Sequence, residues 1–199
     1  MFKILLALVA IATYIAGVII LRKYRVWLTY YLFAVFGLVL IMVLGLQETG
    51  LDKIFEFFEL NIVGKMASIF NISVVSLGAN NIRVFDSAGP VVLTMGIESS
   101  GLIEFSILIG LISFYPAFKW QKKLLYLGIG LSSVIIANLI RILIIVFMTR
   151  FMGRETIFLS HAIVGRLFFF ACMIILFWYI ITRPTIEEVS KIVRGEYVG

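Results

Sequence analysis

A hydroxyl, an imidazole and a guanidinium stand out against an otherwise apolar chain. The hydroxyl is that of Ser99, in the run Glu98-Ser99-Ser100-Gly101, where a polar stretch gives way to an apolar one. Arg141 lies inside the apolar run Ile140 to Ile145, with Asn138 one helical turn earlier. His161 is the single histidine and opens the last apolar segment, with Gly165 one turn on and Arg166 beside it. A nucleophile, a proton carrier and a cation for developing negative charge are the parts that acyl transfer requires.

Each residue also has a plainer reading. Ser99 and Ser100 at a helix start suit N-capping, and Glu98 or Glu104 suits the positive end of the helix dipole. The same free backbone N–H groups can hold an oxyanion. Arg141 can hold helices together through Glu98 or Glu104, but an arginine in hydrocarbon must in any case face protein or water. Gly165 permits close approach of a helix or a substrate. Arg166 points away from His161, toward a carboxylate, a substrate or lipid headgroups. Cys172 sits deep in the last apolar segment and reads as a packing residue.

Elements that could position these groups follow from composition. The chain has 199 residues, 62% hydrophobic, 14% charged, with net charge +6. Mean hydropathy is +1.13. A soluble domain of this size could not hide so much apolar surface, so the fold class is an all-α polytopic membrane protein. The positive excess sits in short loops, where it sets topology, and gives no reason to expect nucleic acid. One cysteine and one histidine exclude an intramolecular disulfide and a conventional zinc site. No cofactor motif is present: Gly128-Ile129-Gly130 follows no strand and lacks a third glycine.

Five runs are long enough to span a bilayer, which takes about 20 mostly apolar residues. They cover about 4–21, 27–46, 101–118, 124–148 and 158–181. The first continues past the cleavage-like Ala10-Ile11-Ala12 and reads as an uncleaved helix. Arg22, Lys23 and Arg25, then Lys119, Lys122 and Lys123, then Arg183 mark inner flanks. The expected topology is N-terminus out and C-terminus in, at the cell membrane. Ser99, Arg141 and His161 then all lie toward the outer side.

One membrane domain over 1–199 is expected: two spans in 1–46, an extracytoplasmic segment in 47–97, a three-span core in 98–182 and a cytoplasmic tail in 183–199. In the outer segment, Leu51, Ile54, Phe55, Phe58 and Ile62 follow helical spacing, while Asp52, Lys53, Glu56 and Glu59 fill the other face. That predicts an amphipathic interfacial helix. Ile72–Leu77, Ile82–Phe85 and Val91–Met95 are β-branched, with Gly78-Ala79-Asn80-Asn81 and Ser87-Ala88-Gly89-Pro90 between them. That predicts a small β-meander.

The second half of the chain resembles the exosortase/archaeosortase family of membrane transpeptidases. The family's acidic/Cys/Ser-or-Thr/Gly motif is read here as Glu98-Ser99-Ser100-Gly101, its Asn-x-x-Arg motif as Asn138 to Arg141, and its histidine ahead of a glycine as His161 and Gly165. The resemblance implies Ser99, Arg141 and His161 as catalytic residues, with Glu98, Ser100, Gly101, Asn138, Gly165 and Arg166 binding substrate or supporting. It implies secreted protein substrates with a tripartite C-terminal sorting signal, and transfer to a lipid or glycan acceptor. Ser99 stands where the family has its nucleophilic cysteine, so the chain is either an inactivated Cys-to-Ser form or a natural serine-bearing member. Two other readings compete: a rhomboid-like intramembrane serine protease, and a non-enzymatic transporter or assembly scaffold.

Overall fold

A computed structural model describes residues 2–78, 80–86, 89–116 and 118–193. Ala79, Ser87 and Ala88 of the expected turns, and tail residues 194–199, lie outside the described residues.

The chain opens with a helical hairpin. Helix α1 spans Phe2–Lys23 and α2 spans Trp27–Thr49. They close on each other through aromatics: the Tyr14 hydroxyl donates to the Ala34 carbonyl at 2.7 Å, and its ring stacks on Phe33. Gly50, at φ 71°, ends α2 and at once starts α3, Leu51–Ile69, which only a residue tolerant of the left-handed region permits so cheaply.

Three antiparallel strands follow, β1 Val74–Ser76, β2 Asn81–Asp86 and β3 Gly89–Thr94, in spatial order β1-β2-β3. This is the expected meander. Its inner face, with Ile82 and Val84, shares one core with Leu60, Val63 and Ala67 of α3 and with three residues of the next-but-one helix, Ile142, Leu143 and Val146.

Helix α4, Leu102–Phe114, is short and apolar, and lies against α2, where Gly110 meets Val35 and the Tyr31 hydroxyl donates to the Leu111 carbonyl at 2.9 Å. Helix α5, Trp120–Met152, has 33 residues. At 1.5 Å per residue it is about 50 Å long, well beyond a hydrocarbon core of about 30 Å. Its inner part packs on α4 and the last helix through Val134 and Ala137, with Leu108, Phe169 and Met173. Its far part carries the sheet and α3. A last helical run, Arg154–Glu187, contains α6, Gly165–Phe177, and leads into α7, Arg183–Val193. Trp27–Thr49, Trp120–Met152 and Arg154–Glu187 are long and apolar enough to cross a membrane, and α4 is a shorter apolar helix.

Helix α3 is present as expected and is amphipathic, but its polar side faces inward. Asp52, Glu56 and Glu59 are buried, while Leu51, Ile54 and Phe58 are exposed. The acids recur at spacings of four and three and so form one stripe. The protein interior supplies Glu59 with a polar partner on α5, Asn138, and the apolar side is left outward.

Candidate active site

Ser99 sits in the turn between β3 and α4. Its hydroxyl donates to the Gly96 carbonyl and accepts from the Gly96 N–H, both at 3.0 Å. Ser100 is buried, and its hydroxyl donates to the Ile97 carbonyl at 2.9 Å. Neither serine is the N-cap residue of α4, although the Ser100 hydroxyl accepts the Leu102 N–H at 3.5 Å. The cap is Gly101, at φ 72°, and its carbonyl accepts the N–H of Phe105 to begin the helix. A Cβ on Gly101 would touch Val134 and Asn138 of α5 at 3.5 and 3.6 Å, so the motif is seated directly on α5.

Asn138 and Arg141 share that face of α5, and both are buried. The Asn138 amide donates to both Glu59 carboxyl oxygens. The Arg141 guanidinium lies 5.4 Å from the centroid of the Phe169 ring. Its Nε is buried without a hydrogen-bond partner, and no carboxylate lies within ion-pair distance among the described residues. The helix-clamp reading through Glu98 or Glu104 therefore finds no direct pair here.

His161 lies in a π-helical turn, Leu159–Val164, between the short 3-10 turn at Arg154–Thr156 and α6. Such turns insert an extra residue and re-aim the side chains around it, and they recur at functional sites. Gly165 closes this turn against α5: a Cβ there would meet the Ser160 carbonyl oxygen at 2.9 Å, Ile145 at 3.3 Å and the Arg141 Cγ at 3.4 Å.

These elements enclose a cavity of about 190 Å³. Ser99, Arg141 and His161 all line it, together with Val92 to Thr94 of β3 and Met95 just after it. Arg141 is also a wall of a second cavity, of about 460 Å³, whose polar residues are Glu98, Glu104, Arg141 and Arg166 and whose remainder is apolar, from Phe169 to Phe177. Glu98 and Arg166 line this second cavity and not the one that holds Ser99 and His161. Cys172 lines neither cavity; it faces an apolar groove between α5 and α6.

Residues 2–178 match the family model described as transmembrane exosortase. The chain belongs to that family. No curated protein and no solved structure matches it. Membership fits the helices long enough to span and makes this a multi-pass membrane protein. It also supports a role of the sorting-transpeptidase kind, on secreted proteins with C-terminal signals.

Sequence reasoning placed Glu59 on a solvated face and gave it no part in the site. The acid stripe of α3 was visible in the spacing, but which of the two faces turned inward was not. The contribution of β3 and Phe169 to the surroundings of Ser99 and Arg141 had no signal in spacing at all.

Among the described residues no group of three or more His, Cys, Asp or Glu side chains is arranged to hold a metal ion.

Proposed function

We propose that this chain is built as a sorting transpeptidase that cleaves the C-terminal signal of secreted proteins at the outer membrane face and passes them to a lipid or glycan acceptor. The observation that carries this reading is the single cavity lined by Ser99, Arg141 and His161, three residues from three separate elements. Residue 99 attacks the scissile carbonyl, and its proton goes to His161. Arg141 lines the cavity, and its charge stabilises the oxygen that becomes negative. Collapse breaks the C–N bond, and His161 returns the proton to the leaving amine. An acceptor nucleophile, giving its proton to His161, then attacks the acyl group, and His161 passes that proton to residue 99 as it leaves. Asn138 and Gly165 set the position of Arg141, and Gly101 sets the turn that carries residue 99.

A serine in this slot starts at a disadvantage. Its proton is committed to the Gly96 carbonyl, and a hydroxyl needs stronger base assistance than a thiol. We expect processing by this chain to be weak and a thiol at 99 to raise it.

The test is cleavage of a co-expressed reporter ending in a secreted protein's sorting segment, apolar helix and basic tail, with residue 99 as Ser, Ser99→Cys and Ser99→Ala. The new C-terminus is read by mass spectrometry. Processing by the Cys form, or by the Ser form, and not by the Ala form supports the proposal. Equal behaviour of all three with a competent reporter removes residue 99 from the chemistry and overturns it.

A further inference from the structure

Strand β3 pairs on one side only. It borders β2 in the register Ile82 with Leu93 and Val84 with Val91, and among the described residues no strand lies beyond it. The direction of its backbone groups follows from two facts. Pro90 has no N–H, so the Phe85–Pro90 pair is one that exchanges no hydrogen bonds. Past the other end, the Met95 N–H donates to the Asn80 carbonyl at 2.8 Å. Pairs alternate along an antiparallel ladder, so Val91, Leu93 and Met95 point their N–H and C=O groups at β2. Val92 and Thr94 point theirs at the open edge. Both residues are exposed, and among the described residues no backbone hydrogen bond reaches that edge.

That edge is a wall of the Ser99 cavity. Val92, Leu93, Thr94 and Met95 line it, as do Arg141 and His161. The chain then turns through Gly96 directly to Ser99. A bare row of strand donors and acceptors beside a nucleophile is what an extended peptide needs: the main-chain bonds hold it whatever its side chains, and the alternation of side chains supplies selectivity. An unguarded edge would otherwise invite pairing with other chains.

We infer that the open edge of β3 is the substrate-docking site, where the cleavage segment of the secreted protein adds as a further strand and is held by the backbone groups of Val92 and Thr94. This rests on the function proposed above and specifies how the substrate is held. It requires the cleavage segment to be extended, not helical, for a few residues around the scissile bond. It also explains why a membrane enzyme of this size keeps a three-stranded sheet beside its cavity.

The test uses the full chain in detergent, as Ser99 and as Ser99→Cys, with a photo-crosslinking peptide copied from the reporter segment just ahead of its apolar helix. Each peptide N–H is methylated in turn. Docking along an edge predicts loss at alternate positions only, about 2- to 10-fold for each bond removed. Val92→Pro and Thr94→Pro remove an outward N–H and leave the β2 ladder intact, so both weaken crosslinking and raise KM with little change in kcat. If either variant fails to fold, the methylation pattern alone decides. Loss without alternation, or no loss, overturns the edge even where the residue-99 series still shows catalysis. If that series shows none, alternating loss leaves the edge standing as a peptide site, and absence of crosslinking removes both.

Discussion

The Asn138 side-chain amide donates to both carboxyl oxygens of Glu59, at 3.0 Å each, and both residues are fully buried. This ties α3 to the helix that carries Arg141, one turn further along. Asn138 Oδ1 has no partner, so Glu59 supplies the amide's hydrogen-bonding environment on its own. Glu59→Leu therefore strands a buried amide and is expected to destabilise the protein by about 1–3 kcal/mol. Glu59→Gln, which keeps an acceptor, is expected to lose less. Adding Asn138→Leu to Glu59→Leu should lose less than the two single changes summed, because the stranded group is gone. Thermal unfolding in detergent checks all three.

Stability should also fall as pH rises. Helix α3 is not among the helices long and apolar enough to span. Burial pushes Glu59 up to about 8, with the Asn138 bond and Arg141 acting the other way and Glu56 adding to the rise. Burial, then Asp52, pushes Glu56 up to about 7, with Lys53 opposing. Between the usual carboxyl range and these values the folded state binds more protons than the unfolded one, so stability decreases with pH. It is fully present below about 4.5, is lost progressively toward neutral pH for Glu56, and is lost through about 8 for Glu59. Unfolding midpoints measured from pH 5 to 9 should decline, and Glu56→Gln should flatten the lower part of that decline.

Gly165→Ala is expected to lower both stability and processing. The new methyl would sit 2.9 Å from the backbone carbonyl oxygen of Ser160, which cannot yield cheaply, and 3.4 Å from the stem of Arg141. Gly101→Ala acts differently. Its φ of 72° holds any L-residue in the left-handed region, for about 1–2 kcal/mol, while the methyl itself meets only ordinary contacts. Reporter processing and unfolding measured side by side separate the two.

Arg141→Lys should lose processing by about 100-fold or more, on the scale of one oxyanion donor. A lysine keeps the charge but neither the planar fork nor the stacking over Phe169. Phe169→Leu keeps the packing volume and removes the ring, and is expected to lose much less. Equal losses in the two would assign the role of Arg141 to packing.

Cys172→Ala should leave processing unchanged, since the thiol faces the apolar groove between α5 and α6 and lines neither cavity at Arg141. Loss of processing in that variant would put a second nucleophile in contention.

Much of this protein was legible in the chain itself. Hydropathy runs predicted helices at the right places, because a chain this apolar has few other ways to satisfy its backbone in a membrane. Of the five runs expected to span, however, the one at 101–118 folds as the 13-residue α4, and three helices among the described residues are long and apolar enough to cross. The β-branched runs between Ile72 and Met95 predicted the meander in its observed order. The motifs around Ser99, Arg141 and His161 marked them as candidates in acyl transfer. Tertiary structure alone decided that the three line one cavity, because convergence depends on how α4, α5 and the π-helical turn at His161 pack. It alone showed the acidic side of α3 turned inward: amphipathic spacing reports two faces, and only the partner, here Asn138, says which one is buried. The open edge of β3 was likewise invisible in sequence, since strand pairing is a relation between distant segments and leaves no mark on the strand that goes unpaired.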